Sequence, residues 1–257
     1  MGHHRTGSWL RGLLMLASLL FGQPAIGDEV SLGVAANFTN TTRELVEQFE
    51  ADTGHTVSAS FGSTGKLYAQ IRQGAPFDVF MAADEWRPER LEAIGLAEPG
   101  SRFTYALGRL ALWSPDPAAF TDPRAFLTTP GQRRLAMANP ATAPYGLAAQ
   151  QVLKNLGLWE QVGPGMARGE SIAQTFQFAA TRNARGAFIA LAQLAEQESQ
   201  GSVWLVPADM HKPIAQQAVL LDRGRDNPAA KAWMTFLKAP EARTIIRRHG
   251  YDLVERP

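Results

Sequence analysis

Four short stretches carry residue types that could hold an anion: Ala36-Asn37, Ser63-Thr64, Pro144-Tyr145-Gly146 and Ser171-Ile172. Each lies just after a predicted strand or loop, at or near the start of a predicted helix. A helix start offers backbone N–H groups without intrahelical partners, and Ser or Thr adds hydroxyl donors. Such a spot attracts a negative ligand without formal positive charge. Taken singly, each turn reads as ordinary capping. Two of them lie in the first half of the chain and two in the middle, so a site built from all four would occupy a cleft between lobes. Ligands of open α/β sheets bind at the carboxyl ends of strands, where these turns fall.

Catalytic chemistry finds less support. Gly62-Ser63-Thr64-Gly65-Lys66 invites comparison with a nucleotide phosphate loop. That pattern needs Gly where Ser60 stands and Ser or Thr where Leu67 stands. Lys66 reads as a solvated charge on the exposed side of the turn. Beyond residue 27 only His55, His211 and His249 remain, none at zinc-ligand spacing, and no Gly-x-Ser-x-Gly elbow occurs. Asp84-Glu85 reads as a helix cap with first-turn negative charge. An exported hydrolase using Asp84 or Glu85 stays open as an alternative. With no cysteine, disulfides, thiolate metal sites and a cysteine nucleophile are excluded.

The elements that must position these turns alternate between strand and helix. Residues 30–36 read as a buried strand, and 56–61 and 77–83 as a second and a third strand. Helices follow over 39–49, where Thr41-x-x-Glu44 resembles a capping box, and from Leu67 through Ile71 to a stop at Gly74. A longer extended segment spans 103–113. Strands are expected at 135–139 and 187–191, helices after Gly146 and Ser171, and an extended segment at 214–221. Helices over 229–237 and 241–248 end the chain. The alternation argues for an α/β fold with largely parallel sheets.

The chain has 257 residues, 45% hydrophobic and 19% charged, a globular composition large enough for one big domain or two lobes. Lys plus Arg total 25 and Asp plus Glu 24, so no basic field points to nucleic acid. Arg5 and Arg11, the apolar run Leu13–Phe21 and Ala25-Ile26-Gly27 have the order of a secretory signal over residues 1–27. Its removal would leave 23 basic and 24 acidic groups, net −1. The remaining sequence has no stretch apolar enough to span a membrane. An exported protein without membrane insertion is expected.

The stretch Phe61-Gly-Ser-Thr-Gly-Lys-Leu-Tyr-Ala-Gln-Ile-x-x-Gly-Ala-Pro-Phe-Asp-Val-Phe-Met-Ala-Ala-Asp-Glu85 resembles the signature of periplasmic molybdate-binding proteins, the substrate-binding subunits of ABC importers. Val34-Ala-Ala-Asn-Phe38, Asn139-Pro-x-x-Ala-Pro-Tyr-Gly146 and Phe236-Leu-Lys-x-Pro-Glu-Ala-x-x-Ile-Ile-x-x-x-Gly-Tyr251 fit as well, so the likeness covers essentially the whole chain after residue 27. It implies a type II periplasmic binding fold: two α/β lobes, each a mostly parallel sheet flanked by helices, joined by two crossover strands. Lobe one would be residues 28–107 with 214–257, and lobe two residues 108–213.

The resemblance further implies a non-enzymatic periplasmic monomer that binds molybdate or tungstate, needs no cofactor and docks on a membrane permease. Its anion ligands would be Ala36, Asn37, Ser63, Thr64, Tyr145, Ser171 and Ile172, with Tyr145 and Ile172 acting through their N–H groups. Many members have a hydroxyl where Asn37 stands and a tyrosine near Ala190. This chain resembles the subgroup with Asn at the first anchor. The same turns could serve another oxyanion such as sulfate.

Overall fold

In the computed structural model, residues 1–2, 27–130, 134–195 and 201–254 are described. The secretory signal expected over residues 1–27 lies almost wholly outside them.

The first half alternates strictly: β1 (Glu29–Ala35), α1 (Thr39–Thr53), β2 (Thr56–Gly62), α2 (Thr64–Arg72), β3 (Val79–Met81) and α3 (Trp86–Ala93). β4 (Phe103–Gly108) and β5 (Leu110–Ser114) follow. Then come α4 (Pro123–Thr128), β6 (Leu135–Ala138), α5 (Pro144–Asn155), α6 (Trp159–Val162), β7 (Ala167–Gly169), α7 (Ile172–Ala180), β8 (Gly186–Ala190) and β9 (Ser202–Leu205). β10 (Ile214–Leu220), α8 (Pro228–Phe236) and α9 (Pro240–Arg248) close the chain.

The strands form two five-stranded sheets, ordered β2-β1-β3-β10-β4 and β7-β6-β8-β5-β9. The strands joined through helices pair in parallel, as the alternation predicts: β1 with β2 and β3, β6 with β7 and β8. β10 pairs antiparallel with β3 and β4, and β5 antiparallel with β8 and β9. The extended segment expected over 103–113 is therefore two strands in different sheets, parted at Arg109. The chain crosses from one lobe to the other there, and returns over residues 206–213 into β10, whose Ile214 pairs with Gly108. A third strand of chain joins this passage, because Leu107 N–H donates to Asp252 O at 2.7 Å.

Successive residues of the central strands enter opposite cores, the signature of a sheet covered on both faces. Val79, Met81, Ala218 and Leu220 pack with Leu45, Phe49, Trp233 and Ile246 of α1, α8 and α9. Phe80, Val219 and Leu221 pack with Leu67, Ile71 and Leu91 of α2 and α3. In the second lobe Leu110 and Leu112 face α5, while Ala111 and Trp113 face α7. The α5-side core also takes in Ala35, Ala36 and Ala83 from the strand ends of the first sheet, so the apolar interior continues across the cleft.

The capping box expected at Thr41 and Glu44 does not form. A 3-10 turn over Ala36–Phe38 leads into α1, which starts at Thr39, placing Thr41 inside the helix. Thr41 hydrogen-bonds Tyr251 instead, and Glu44 pairs with Arg248 and His249 of α9. Tertiary partners outcompete the local cap here.

Candidate anion-binding site

Where the two sheets face each other, the ends of their strands enclose a small cavity of about 10 Å³. Its wall comes from Ala35, Ala36 and Asn37 after β1, Gly62, Ser63 and Thr64 after β2, and Ala83 after β3. The second lobe adds Ala143, Pro144 and Tyr145 at the start of α5, and Ile172 at the start of α7. Six of the seven residues expected to hold the anion thus come together, from four separate turns. Ser171 does not line the cavity; its hydroxyl caps α7 by accepting Gln174 N–H at 3.3 Å.

No charged side chain lines the cavity. Its polarity comes from donors. The 3-10 turn, α2 and α5 all begin at the wall without a side-chain cap. Gly65 N–H of α2 is taken by Thr142 O and Pro144 of α5 has no N–H, which leaves neighbouring first-turn groups such as those of Thr64 and Tyr145 without a capping oxygen. An anion in the cavity takes that place and meets the positive end of each helix dipole. Two hydroxyls add to these. Ser63 Oγ is buried with no hydrogen-bond partner among the described residues, which costs a fold about 1–3 kcal/mol unless a ligand supplies an acceptor. Thr64, 1% exposed, accepts Ala83 N–H on Oγ1 at 3.1 Å, which leaves its own proton to donate elsewhere.

Asn37 is spent differently from expectation. Its side-chain amide donates to Gln216 Oε1 at 2.8 Å and to the Tyr251 hydroxyl at 3.0 Å. What remains for the anion is the backbone N–H of the turn. Tyr251 in turn donates to Asn37 O at 2.8 Å and so clamps the turn from both sides. Tyr251 sits 214 positions away in sequence, and Gln216 lies beside Gln217 in a strand whose other residues are apolar. A pair of glutamines inside a buried apolar strand was the signal that could have flagged Gln216.

The lobes touch around this cavity. Gly65 N–H donates to Thr142 O at 2.8 Å, and an Arg87 guanidinium N–H donates to Ala141 O at 3.2 Å. Lys66, expected to be solvated, is half exposed but pairs with Glu170 across the cleft. An ion pair so exposed contributes about 0–1 kcal/mol. Asp84 is committed to Arg87, accepting its backbone N–H at 3.0 Å and pairing with its guanidinium, which is the capping role expected of it. Ala190 is buried with no hydroxyl to offer, and lies outside the cavity wall.

Three buried phenols stand at the site, Tyr145 in the wall and Tyr105 and Tyr251 behind it. Burial pushes Tyr105 and Tyr145 well above the ordinary tyrosine range, with the neighbouring Tyr251 adding to both, and burial raises Tyr251 as well. All three are therefore neutral near physiological pH. No other wall side chain is ionisable, so the anion affinity is expected to stay flat between about pH 6 and pH 9. Fold stability should fall only above about pH 10, where the phenols of the unfolded chain ionise first and the folded state holds more protons. Calorimetric titration and denaturant melts across this range check both; a binding step near neutral pH would reveal a titrating group in the site.

The sequence pattern of the bacterial extracellular solute-binding protein family matches residues 30–252. The molybdate-binding protein ModA of Azotobacter vinelandii is 48% identical over 245 residues, covering 95% of this chain and 97% of the relative. ModA of Rhodobacter capsulatus is 48% identical over 247 residues, covering 96% of both. Among solved structures, the periplasmic molybdate-binding protein of Azotobacter vinelandii superimposes with a TM-score of 0.84 at 41% identity, over 88% of this chain and all of that one.

Proposed function

The chain belongs to the bacterial extracellular solute-binding protein family, and we propose that it captures molybdate, with tungstate alongside, in the cleft between its lobes and hands it to the permease of an ABC importer. In this reading residues 1–27 direct export, lobe one is 28–107 with 214–257, lobe two is 108–213, and the monomer binds without turnover. The anion's ligands are Ala36, Asn37, Ser63, Thr64, Tyr145 and Ile172, with Ser171 holding the α7 start in place.

The observation that carries this reading is a small, uncharged, donor-lined cavity with an orphaned hydroxyl in it. Molybdate and tungstate are dianions near neutral pH and carry no proton to donate. Acceptors in the wall would repel their oxygens, whereas N–H and O–H groups match them. The cavity, about 10 Å³ with room for about one water-sized occupant, is far below the roughly 300–1,000 Å³ of organic ligand sites, which favours a compact inorganic ion. Sulfate wants the same donors, so size must choose between the anions. Closing the lobes buries the ion away from water, where the dipoles act at lower dielectric. Contacts such as Gly65 to Thr142 exist only when the lobes meet, so the ion shifts a population toward the closed form.

Calorimetric titration of the anion-stripped protein with molybdate, tungstate and sulfate tests the assignment. Tight one-to-one binding of the first two with sulfate far weaker is the expected result. Tight sulfate binding with molybdate inert would transfer the site to the smaller oxyanion.

A further inference from the structure

One buried amide joins elements that the anion itself does not bridge. Gln216 is fully buried in β10, where the register against β4 shifts. Its Oε1 accepts from Asn37 Nδ2 at 2.8 Å and lies 3.3 Å from the Tyr105 hydroxyl, whose one proton is shared with Ala82 O at 3.2 Å. The Asn37 donor sets which way the amide faces. The Nε2 is left pointing to Tyr145, whose hydroxyl accepts at 3.4 Å. Asn37 and Gln216 belong to the first sheet; Tyr145 belongs to α5, beside the second. The Tyr145 phenol also fills the space that a Cβ on Gly108 would need, at the last residue before the chain crosses between lobes. The anchor turn, the hinge passage and the opposite lobe thus meet at one side chain.

We propose that Gln216 is a positioning residue that couples the first anion anchor to lobe closure. Its oxygen fixes the Asn37 turn, and its N–H engages the Tyr145 hydroxyl only when α5 has swung in. Withdrawal of α5 strips a buried N–H of its acceptor, so the open form is disfavoured from behind the site as well as through the ligand. This role rests on the cleft being an anion trap, but it assigns work to a residue that does not line the cavity. The apparent affinity of a two-state trap scales with the closed fraction, so weakening the latch costs affinity without altering any anion contact.

The test compares Gln216→Leu, Tyr145→Phe and the double variant in the full chain. Each single variant is expected to speed molybdate release by about 10-fold, by stopped flow, as the loss of one buried hydrogen bond implies. The double variant should release no faster than the quicker single, because both remove the same link. Small-angle scattering should show the ligand-free variants more open than the wild type. Tm should change little in Tyr145→Phe and fall in Gln216→Leu, which strips Asn37 Nδ2 of a buried acceptor. Tyr145→Phe keeps the ring and the backbone N–H, so it carries the test alone if Gln216→Leu folds poorly. Multiplying release rates in the double variant, or an unchanged scattering radius, would overturn the coupling. Failure of the wild type to bind molybdate would instead sink the anion assignment, and the ligand-free scattering would still decide the latch.

Discussion

Replacing Gly65 by alanine is expected to weaken molybdate binding about 10- to 100-fold while the ligand-free protein stays as stable as before, or gains slightly. A Cβ at this position would stand 2.9 Å from both Cα and O of Thr142 and 3.0 Å from an Arg87 guanidinium nitrogen. Two of those atoms are backbone of the opposite lobe and cannot fold aside. The conflict exists only when the lobes meet, so its cost, about 1–3 kcal/mol for an overpacked contact, falls on closure. In the separated form the new methyl sits in the first turn of α2, where alanine improves helix propensity by up to about 1 kcal/mol over glycine. Affinity and stability should therefore move in opposite directions. Titration calorimetry and thermal melts of the same preparation measure both. Unchanged affinity would mean that this approach of α2 to Thr142 is no part of the bound state.

The second large effect is expected at Thr64→Val. Valine keeps the branched shape and removes the hydroxyl. A hydrogen bond to a charged partner is worth about 1.5–3 kcal/mol, so molybdate affinity should fall about 10- to 100-fold. The variant should also lose about 1–3 kcal/mol of ligand-free stability, because Ala83 N–H loses its only buried acceptor. Ser63→Ala provides the contrast. Its hydroxyl has no partner among the described residues, so affinity should drop while ligand-free stability holds or rises. Denaturant melts and titrations of the pair separate the two hydroxyls. Equal stability losses at both would show that Ser63 has a partner of its own.

The turns were legible in the sequence because each is local. Ser63-Thr64, Pro144-Tyr145 and Ile172 stand beside short apolar runs whose lengths read as strands, and each opens a helix of the expected type. The long-range part was not legible. Nothing near Asn37 announces that its amide belongs to Gln216 and Tyr251, and nothing near Thr41 says that Tyr251 takes its hydroxyl. The antiparallel pairings of β4, β5 and β10 escaped because they depend on where the chain changes lobes, and Arg109 carries no turn signature at that point. Lys66 looked solvated since its partner, Glu170, lies across the cleft and far along the chain. Short β7 and β9 carry too few residues to show a period.

The clamp of Tyr251 on the Asn37 turn also sets an order of assembly. The chain is synthesised from its N-terminus, so the turn that opens the cavity is made almost at once. The two side chains that hold it, Gln216 and Tyr251, come from the last fifth of the polypeptide. Every partial product on the ribosome therefore has strand ends and helix starts in hand but a loose first anchor. The first anchor is clamped only once Gln216 and Tyr251 are in place, with Leu107 N–H donating to Asp252 O beside them. A truncation that removes only the residues from Tyr251 onward spares every wall residue, yet returns the protein to that unfinished state.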